Sequence, residues 1–253
     1  MTKKALSRWQ AAGMHFLICV AIAIVVVTLM LELWYPRPLF EAAGGNDLLF
    51  IIVGVDVVLG PLLTLVVFRA GKRGMKFDLT VIGLVQLAAL IYGAHIIYLA
   101  RPAFIVFVKD RFEVVSAAEL APEDLAAARY PQFRKAPIGG PGLAAAEMPA
   151  NPEERRKVIE AALAGRDMQQ LPRLWVPYDT ARAEVLSKAK PLEYFRKDSD
   201  VGAAVNAYLA GEGAGAKDKP ALLLRTRFAW LVVIVDPKTA EPVKMLLGKT
   251  ISS

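Results

Sequence analysis

The chain has 253 residues, 55% of them hydrophobic, with a mean hydropathy of +0.40 and a net charge of +7. That mixture is too apolar for an ordinary soluble protein and too charged for one that lies wholly in a membrane. The basic surplus does not indicate nucleic-acid binding either: much of it sits in short segments beside apolar runs, and elsewhere it is interleaved with acids, as in KDRFE and RKDSD.

Three apolar runs come first, His15 to Leu33, Leu48 to Phe68 and Leu79 to Leu99. Each holds roughly 20 residues, enough to cross ~30 Å of hydrocarbon at ~1.5 Å per residue. They predict a membrane protein with three transmembrane α-helices over residues 1–101, followed by an extracytoplasmic α+β domain over residues 102–253. The first run is longer than a signal-peptide core, and no small-x-small site precedes Trp34, so it reads as an uncleaved anchor.

Positive charge sets the orientation. Lys3, Lys4 and Arg8 precede the first run, and Arg69, Lys72, Arg73 and Lys76 lie between the second and third, whereas WYPRPLFEAAGGND between the first two carries only Arg37 against Glu41 and Asp47. The two basic segments face the cytoplasm, so the N-terminus is cytoplasmic and the C-terminal domain extracytoplasmic, in the periplasm if the membrane is a bacterial inner membrane. Trp34, Tyr35 and Tyr98 suit an interfacial aromatic belt, with membrane lipid as neighbour. The lone Cys19 lies within the first run, so neither an intrachain disulfide nor a thiol metal cluster can form.

In the C-terminal domain, AFIVFV and Arg111 to Val115 read as strands joined by a Lys109-Asp110 turn. Ser116 and Glu119 have capping-box spacing, and Pro122 delays the regular helix. PQFRKAPIGGPG reads as a loop. NPEERRKVIEAALAG is the clearest helix, with Asn151 as N-cap, Pro152 at the first position and Gly165 as the stop. Helices are also expected near Thr180 to Lys188 and Asp200 to Ala210, then a flexible linker GEGAGAKDKP, then strands in ALLLRTR, FAWLVVIVD and PVKMLLG.

A carboxylate in the second run is the conspicuous exception to its apolar pattern. Asp56 in mid-bilayer costs about 2.5–3.5 kcal/mol on insertion scales, so it must face another helix, pair or become protonated. By helical rise it sits roughly 12 Å from the extracytoplasmic surface, with Tyr92 and His95 of the third run at about 10 and 6 Å, and these two are its expected partners. Gly54 and Gly60 permit close helix approach, and Pro61 kinks the helix and frees a carbonyl. Gln86 reads as an interhelical hydrogen bond and His15 as interfacial. The same residues can be read as a structural polar contact that fixes helix register.

The segments WYPRPLFEAAGG, VDVVLGPLLTLVVF, KFDLTVIGLVQLAALIYG and RPAFIVFVKDRFEVV together resemble the TfpX/TfpZ family of type IV pilin accessory proteins, over the membrane half and the first strands. The resemblance implies an inner-membrane protein that binds or stabilises the type IV major pilin and promotes pilus assembly, with no reaction and no cofactor. Whether it also forms a homo-oligomer is left open by one sequence. The rival readings are a membrane-embedded enzyme and a small transporter component, each using Asp56. An aspartyl dyad needs two carboxylates sharing a proton. Glu32 is the other carboxylate within the apolar runs, and it differs from Asp56 by roughly 10 Å in depth. The chain's two histidines, His15 and His95, both precede the C-terminal domain, which therefore offers neither a Ser-His-Asp triad nor the commonest zinc ligand sets.

Overall fold

The computed structural model describes residues 7–69 and 72–250, leaving Lys3, Lys4 and the C-terminal Ser253 outside the described residues. The chain divides into two compact units, one of the segments up to Glu32 and from Gly45 to Leu99, the other of Leu33–Gly44 with Ala100 onward.

The first unit is helical. Helix α1 (Arg8–Leu29) begins at a capping box in which Ser7 and Gln10 satisfy each other's main-chain N–H groups. A π-helical turn, Met30–Trp34, extends it. After the short α2 (Leu39–Ala42), helix α3 (Gly45–Gly54) runs through a second π turn, Val55–Leu59, into α4 (Gly60–Val67). Helix α5 (Met75–Ala100) completes the unit. Two helical stretches, Arg8–Trp34 and Met75–Ala100, are long and apolar enough to cross a membrane; Val55–Val67 is a shorter apolar helix. Their outward faces are aliphatic, with Leu17, Ile24, Val66, Leu84 and Ile91 exposed, the pattern of helices whose solvent is lipid.

The second unit is an α/β domain built on one mixed sheet. Its strands are β1 (Pro102–Val108), β2 (Arg111–Ser116), β3 (Gly142–Ala146), β4 (Trp175–Pro177), β5 (Lys190–Pro191), β6 (Pro220–Arg225), β7 (Ala229–Val235) and β8 (Pro242–Thr250). The order is β4-β3-β1-β2-β6-β7-β8, with β5 beside β6. Pairs β1–β3 and β2–β6 are parallel; the others are antiparallel. The β1–β2 hairpin turns at Lys109, whose φ of 59° lies in the left-handed region.

Side chains alternate between the two sheet faces, and both faces are covered. Ile105 and Phe107 of β1, Leu222 and Leu224 of β6, and Leu231 and Val233 of β7 form one face, packed with Tyr178, Ala181 and Val185 of α8 (Tyr178–Lys188). On the opposite face Phe104 and Val106 meet Val158 of α7 (Pro152–Leu163) and the ring of Trp175, while Val232 and Ile234 meet Val201 and Val205 at the start of α9 (Gly202–Glu212). The short α6 (Pro122–Ala126) begins where Pro122 sets its first turn. Strands from both ends of the domain thus share one sheet, and β3, β4 and β5 join them from the stretch that the sequence pattern assigns to loops and helices.

Leu33–Gly44, placed with the membrane region by its sequence position, belongs to this domain. Leu39 and Ala42 are buried in the same face as Phe107 and Leu231, Tyr35 is buried beside Phe40, and the Thr226 hydroxyl donates to the Ala42 carbonyl at 2.7 Å. The segment contains a cis peptide at Arg37-Pro38. Tyr35 therefore fills a protein core rather than an interfacial belt, and burial pushes its hydroxyl pKa up. GEGAGAKDKP is likewise anchored: Leu192 N–H donates to Lys219 O at 2.9 Å and Glu193 N–H to Lys217 O at 3.1 Å.

Candidate functional site

Five polar residues of the helical unit lie along one side of it, with Asp56 in their midst. They come from three directions: His15 and Cys19 from α1, Asp56 and Thr64 from the α3–α4 segment, and Gln86 from α5. Asp56 is 9% exposed and lies in the π turn just before Gly60 and Pro61.

The backbone explains why Gln86 is there. In a π turn each carbonyl looks five residues ahead for its donor, and five residues after Asp56 stands Pro61, which has no N–H. At that spacing the Asp56 carbonyl meets no main-chain donor. The Gln86 side chain supplies one, its Nε2 donating to Asp56 O at 3.1 Å, and the same amide reaches Cys19 Sγ at 3.8 Å. Gly60 makes room for this: a Cβ there would overlap the Gln86 amide. Thus Pro61 frees a carbonyl, Gly60 opens the approach and Gln86 closes the bond.

Both Gln86 amide hydrogens are directed at acceptors, which leaves its Oε1 as an acceptor without a donor. Gln86 Oε1 and Asp56 Oδ1 are both buried and without a hydrogen-bond partner among the described residues. About two turns along the helix from Asp56, His15 Nδ1 lies 2.6 Å from Thr64 Oγ1. A cavity of about 180 Å³ runs beside these groups, lined mostly by aliphatic residues of α1 and α5 and by Asp56 and Gln86.

The expected partners Tyr92 and His95 are not at the site. Tyr92 is 68% exposed, His95 is exposed, and neither lines the cavity. Depth alone selected them, but a helix also has an azimuth: Gly83, Gln86, Leu90 and Ile97 recur at helical spacing on the cavity face of α5, and Tyr92 and His95 fall off that stripe. Gly54 has open space where its Cβ would be, so it marks no close helix contact, whereas Gly60 and Pro61 are buried at the site. Thr64 and Cys19 join it unannounced by the sequence pattern; the signal that could have found Thr64 is its two-turn spacing from Asp56 on one helix face. His15 is held by a hydrogen bond rather than simply wetted at an interface.

Chemically the arrangement presents two buried oxygens that lack donors among the described residues. Among the described residues no group of His, Cys, Asp and Glu is placed to hold a metal ion. In the α/β domain, Glu113 is the buried carboxylate: burial pushes its pKa up, against the opposing pull of Arg111, whose Nε lies 2.7 Å away. A depression of about 360 Å³ lies on the same domain between Arg37-Pro38 and the Pro242–Met245 end of β8.

Comparison with known proteins gives a consistent answer. The family model described as fimbrial assembly protein FimB matches residues 3–44, the segment ending in the α2 turn. Two curated proteins of Dichelobacter nodosus, the fimbrial assembly proteins of serogroups I and E1, are 39% and 38% identical over 185 residues, 72% of this chain and 72% of each relative. The fimbrial assembly protein of serogroups C1 and C2 from the same organism is 37% identical over 118 residues, 46% of this chain and 90% of that protein. No solved structure matches the chain.

Proposed function

Because this chain belongs to the fimbrial assembly protein family, whose name carries a role in fimbrial assembly, we propose that it is a non-enzymatic accessory protein of the TfpX/TfpZ kind, binding or stabilising type IV pilin in the inner membrane while pili are built. The observation that carries this reading is relatedness over 185 residues, more than the helical unit alone can hold, rather than a single motif.

The membrane arrangement proposed with it has three spans, a cytoplasmic N-terminus and a periplasmic α/β domain. Chain parity supports the third span. Leu33–Gly44 and the chain from Ala100 onward share one folded domain, so the end of α1, the start of α3 and the end of α5 lie on the same side of any membrane. If α5 crosses, its beginning is on the other side, and the continuous helical segment from Gly45 to Val67 has to carry the chain there. Arg69, Lys72, Arg73 and Lys76 at that far turn support its being cytoplasmic.

A pilin held in the inner membrane has an apolar helix in the bilayer and a folded head outside it, and this chain offers a partner surface to each. The test is deletion and complementation: cells lacking the gene should show fewer surface pili with pilin still made, the full chain should restore them, and it should co-purify with pilin from mild detergent. Normal piliation in the deletion strain, or no pilin in the purified material, would reject the proposal.

A further inference from the structure

Within the helical unit, α1 and α5 flank the cavity of about 180 Å³. Its rim is exposed aliphatic side chain, Ile18 and Ile22 on α1 and Leu87 on α5, so it is reached sideways, from where lipid would be. Its floor differs: Asp56 Oδ1 and Gln86 Oε1 lie there, buried and without donors among the described residues. Gln86 cannot turn its oxygen to another donor without giving up the bonds it already makes. Gln86 is committed by its bonds to the Asp56 carbonyl and Cys19, and Pro61 prevents the backbone from relieving it.

An acyl chain would fill such a groove and leave both oxygens unpaired, because hydrocarbon has no donor, and an unpaired acceptor in hydrocarbon is costly. What fits is apolar along its length and carries a donor at one depth. A carboxylate and an amide oxygen lining one cavity suit a protonated nitrogen, which has several hydrogens for two acceptors and a charge to neutralise. We infer that the α1–α5 groove is a docking site for one apolar membrane helix of a partner, bearing a protonated nitrogen, on a side chain or at a chain end, that reaches Asp56 and Gln86. This deepens the proposed function and rests on its membrane topology; it locates partner contact on the first and third spans, α1 and α5.

The test uses the full chain in phosphatidylethanolamine–phosphatidylglycerol vesicles and a synthetic apolar helix with a single central lysine, against the same helix with norleucine in its place. Association is read by energy transfer. A cysteine one turn from the lysine provides a second readout, a disulfide to Cys19 formed under copper–phenanthroline, since Cys19 lines the groove. The lysine helix should bind about tenfold more tightly than the norleucine helix and cross-link to Cys19. Asp56→Asn should remove that preference, and Gln86→Leu should reduce it. Should Asp56→Asn lower the amount of folded protein, Gln86→Leu, which keeps the carboxylate, gives the reading alone. Equal binding of the two helices, or a preference that survives both substitutions, would overturn the inference and leave the groove to lipid. Capture of pilin by the unsubstituted chain is scored separately: lysine preference without pilin capture keeps the groove and removes the pilin partner, and the converse removes the groove alone.

Discussion

Truncating Leu39 to alanine should destabilise the α/β domain, although Leu39 precedes the first strand by most of the helical unit. Leu39 is 2% exposed and packed in the face that holds Phe107, Leu231 and Val233. Cutting its isobutyl group to a methyl gives up about 2–3 kcal/mol of transfer free energy. The void left beside a sheet that cannot collapse onto it raises the total to roughly 3–4 kcal/mol, within the ~2–5 kcal/mol span of such truncations. That is a large share of the ~5–15 kcal/mol by which a domain is normally stable. The measurement is urea unfolding of the full chain in mild detergent, followed by the fluorescence of Trp175 and Trp230, with Trp9 and Trp34 replaced by phenylalanine in both proteins. A control, Leu163→Ala, removes the same group from a site that is 85% exposed and should change stability by less than about 0.5 kcal/mol. A Leu39→Ala effect no larger than the control's would mean that Leu33–Gly44 is not part of the domain, and the parity that supports a third span would go with it.

Gly248→Ala should cost about 1–3 kcal/mol by the same assay, because a Cβ there would sit 2.5 Å from Asp200 O and 2.7 Å from Trp230 O, main-chain atoms with nowhere to move. Asn151→Ala should cost about 1 kcal/mol by unfolding α7 from its first turn, where Asn151 Oδ1 accepts from Glu153 N–H at 2.8 Å and Glu154 N–H at 3.3 Å. Asp236 accepts from the Thr239 and Lys238 N–H groups, and those bonds pull its pKa down. Its contribution is therefore present above the unfolded value of about 3.9 and lost as pH falls through the lower folded value, so the stability advantage of the natural chain over Asp236→Asn should shrink on acidification. Glu113 behaves oppositely. Its pKa is raised by burial, so its contribution is complete below the unfolded value of about 4.3 and fades as pH rises through the folded one; Glu113→Gln should remove that part of the pH profile in paired unfolding curves.

What the sequence disclosed was local. The Ser116–Glu119 box, the Asn151 cap, the Lys109-Asp110 turn and the apolar run of β7 are each specified within a few residues, and each is found in place. What it withheld depended on distant neighbours. GLAAA has no β-branched or aromatic residue and follows a glycine–proline loop, yet it forms β3, because its position beside β1 rewards small side chains: Ala144 and Ala145 are fully buried next to strands carrying Phe104 and Trp175, and a Cβ on Gly142 would lie 2.9 Å from the Phe104 ring. Burial of Tyr35, Leu39 and Ala42 was hidden for the same reason, since WYPRPLFEAAGG is a plausible surface turn until a sheet arrives to cover it. At the polar cluster, residue type and depth identified Asp56, Gly60 and Pro61, and the azimuth of α5 chose Gln86 over Tyr92 and His95.

The pairing of Phe112 with Leu224 has a temporal meaning. A ribosome delivers β2 long before β6, and until β6 emerges the edge of β2 away from β1 is open. Any helper that recognises unpaired strands therefore has its opportunity here, between emergence of the hairpin and the pairing of β6 with β2.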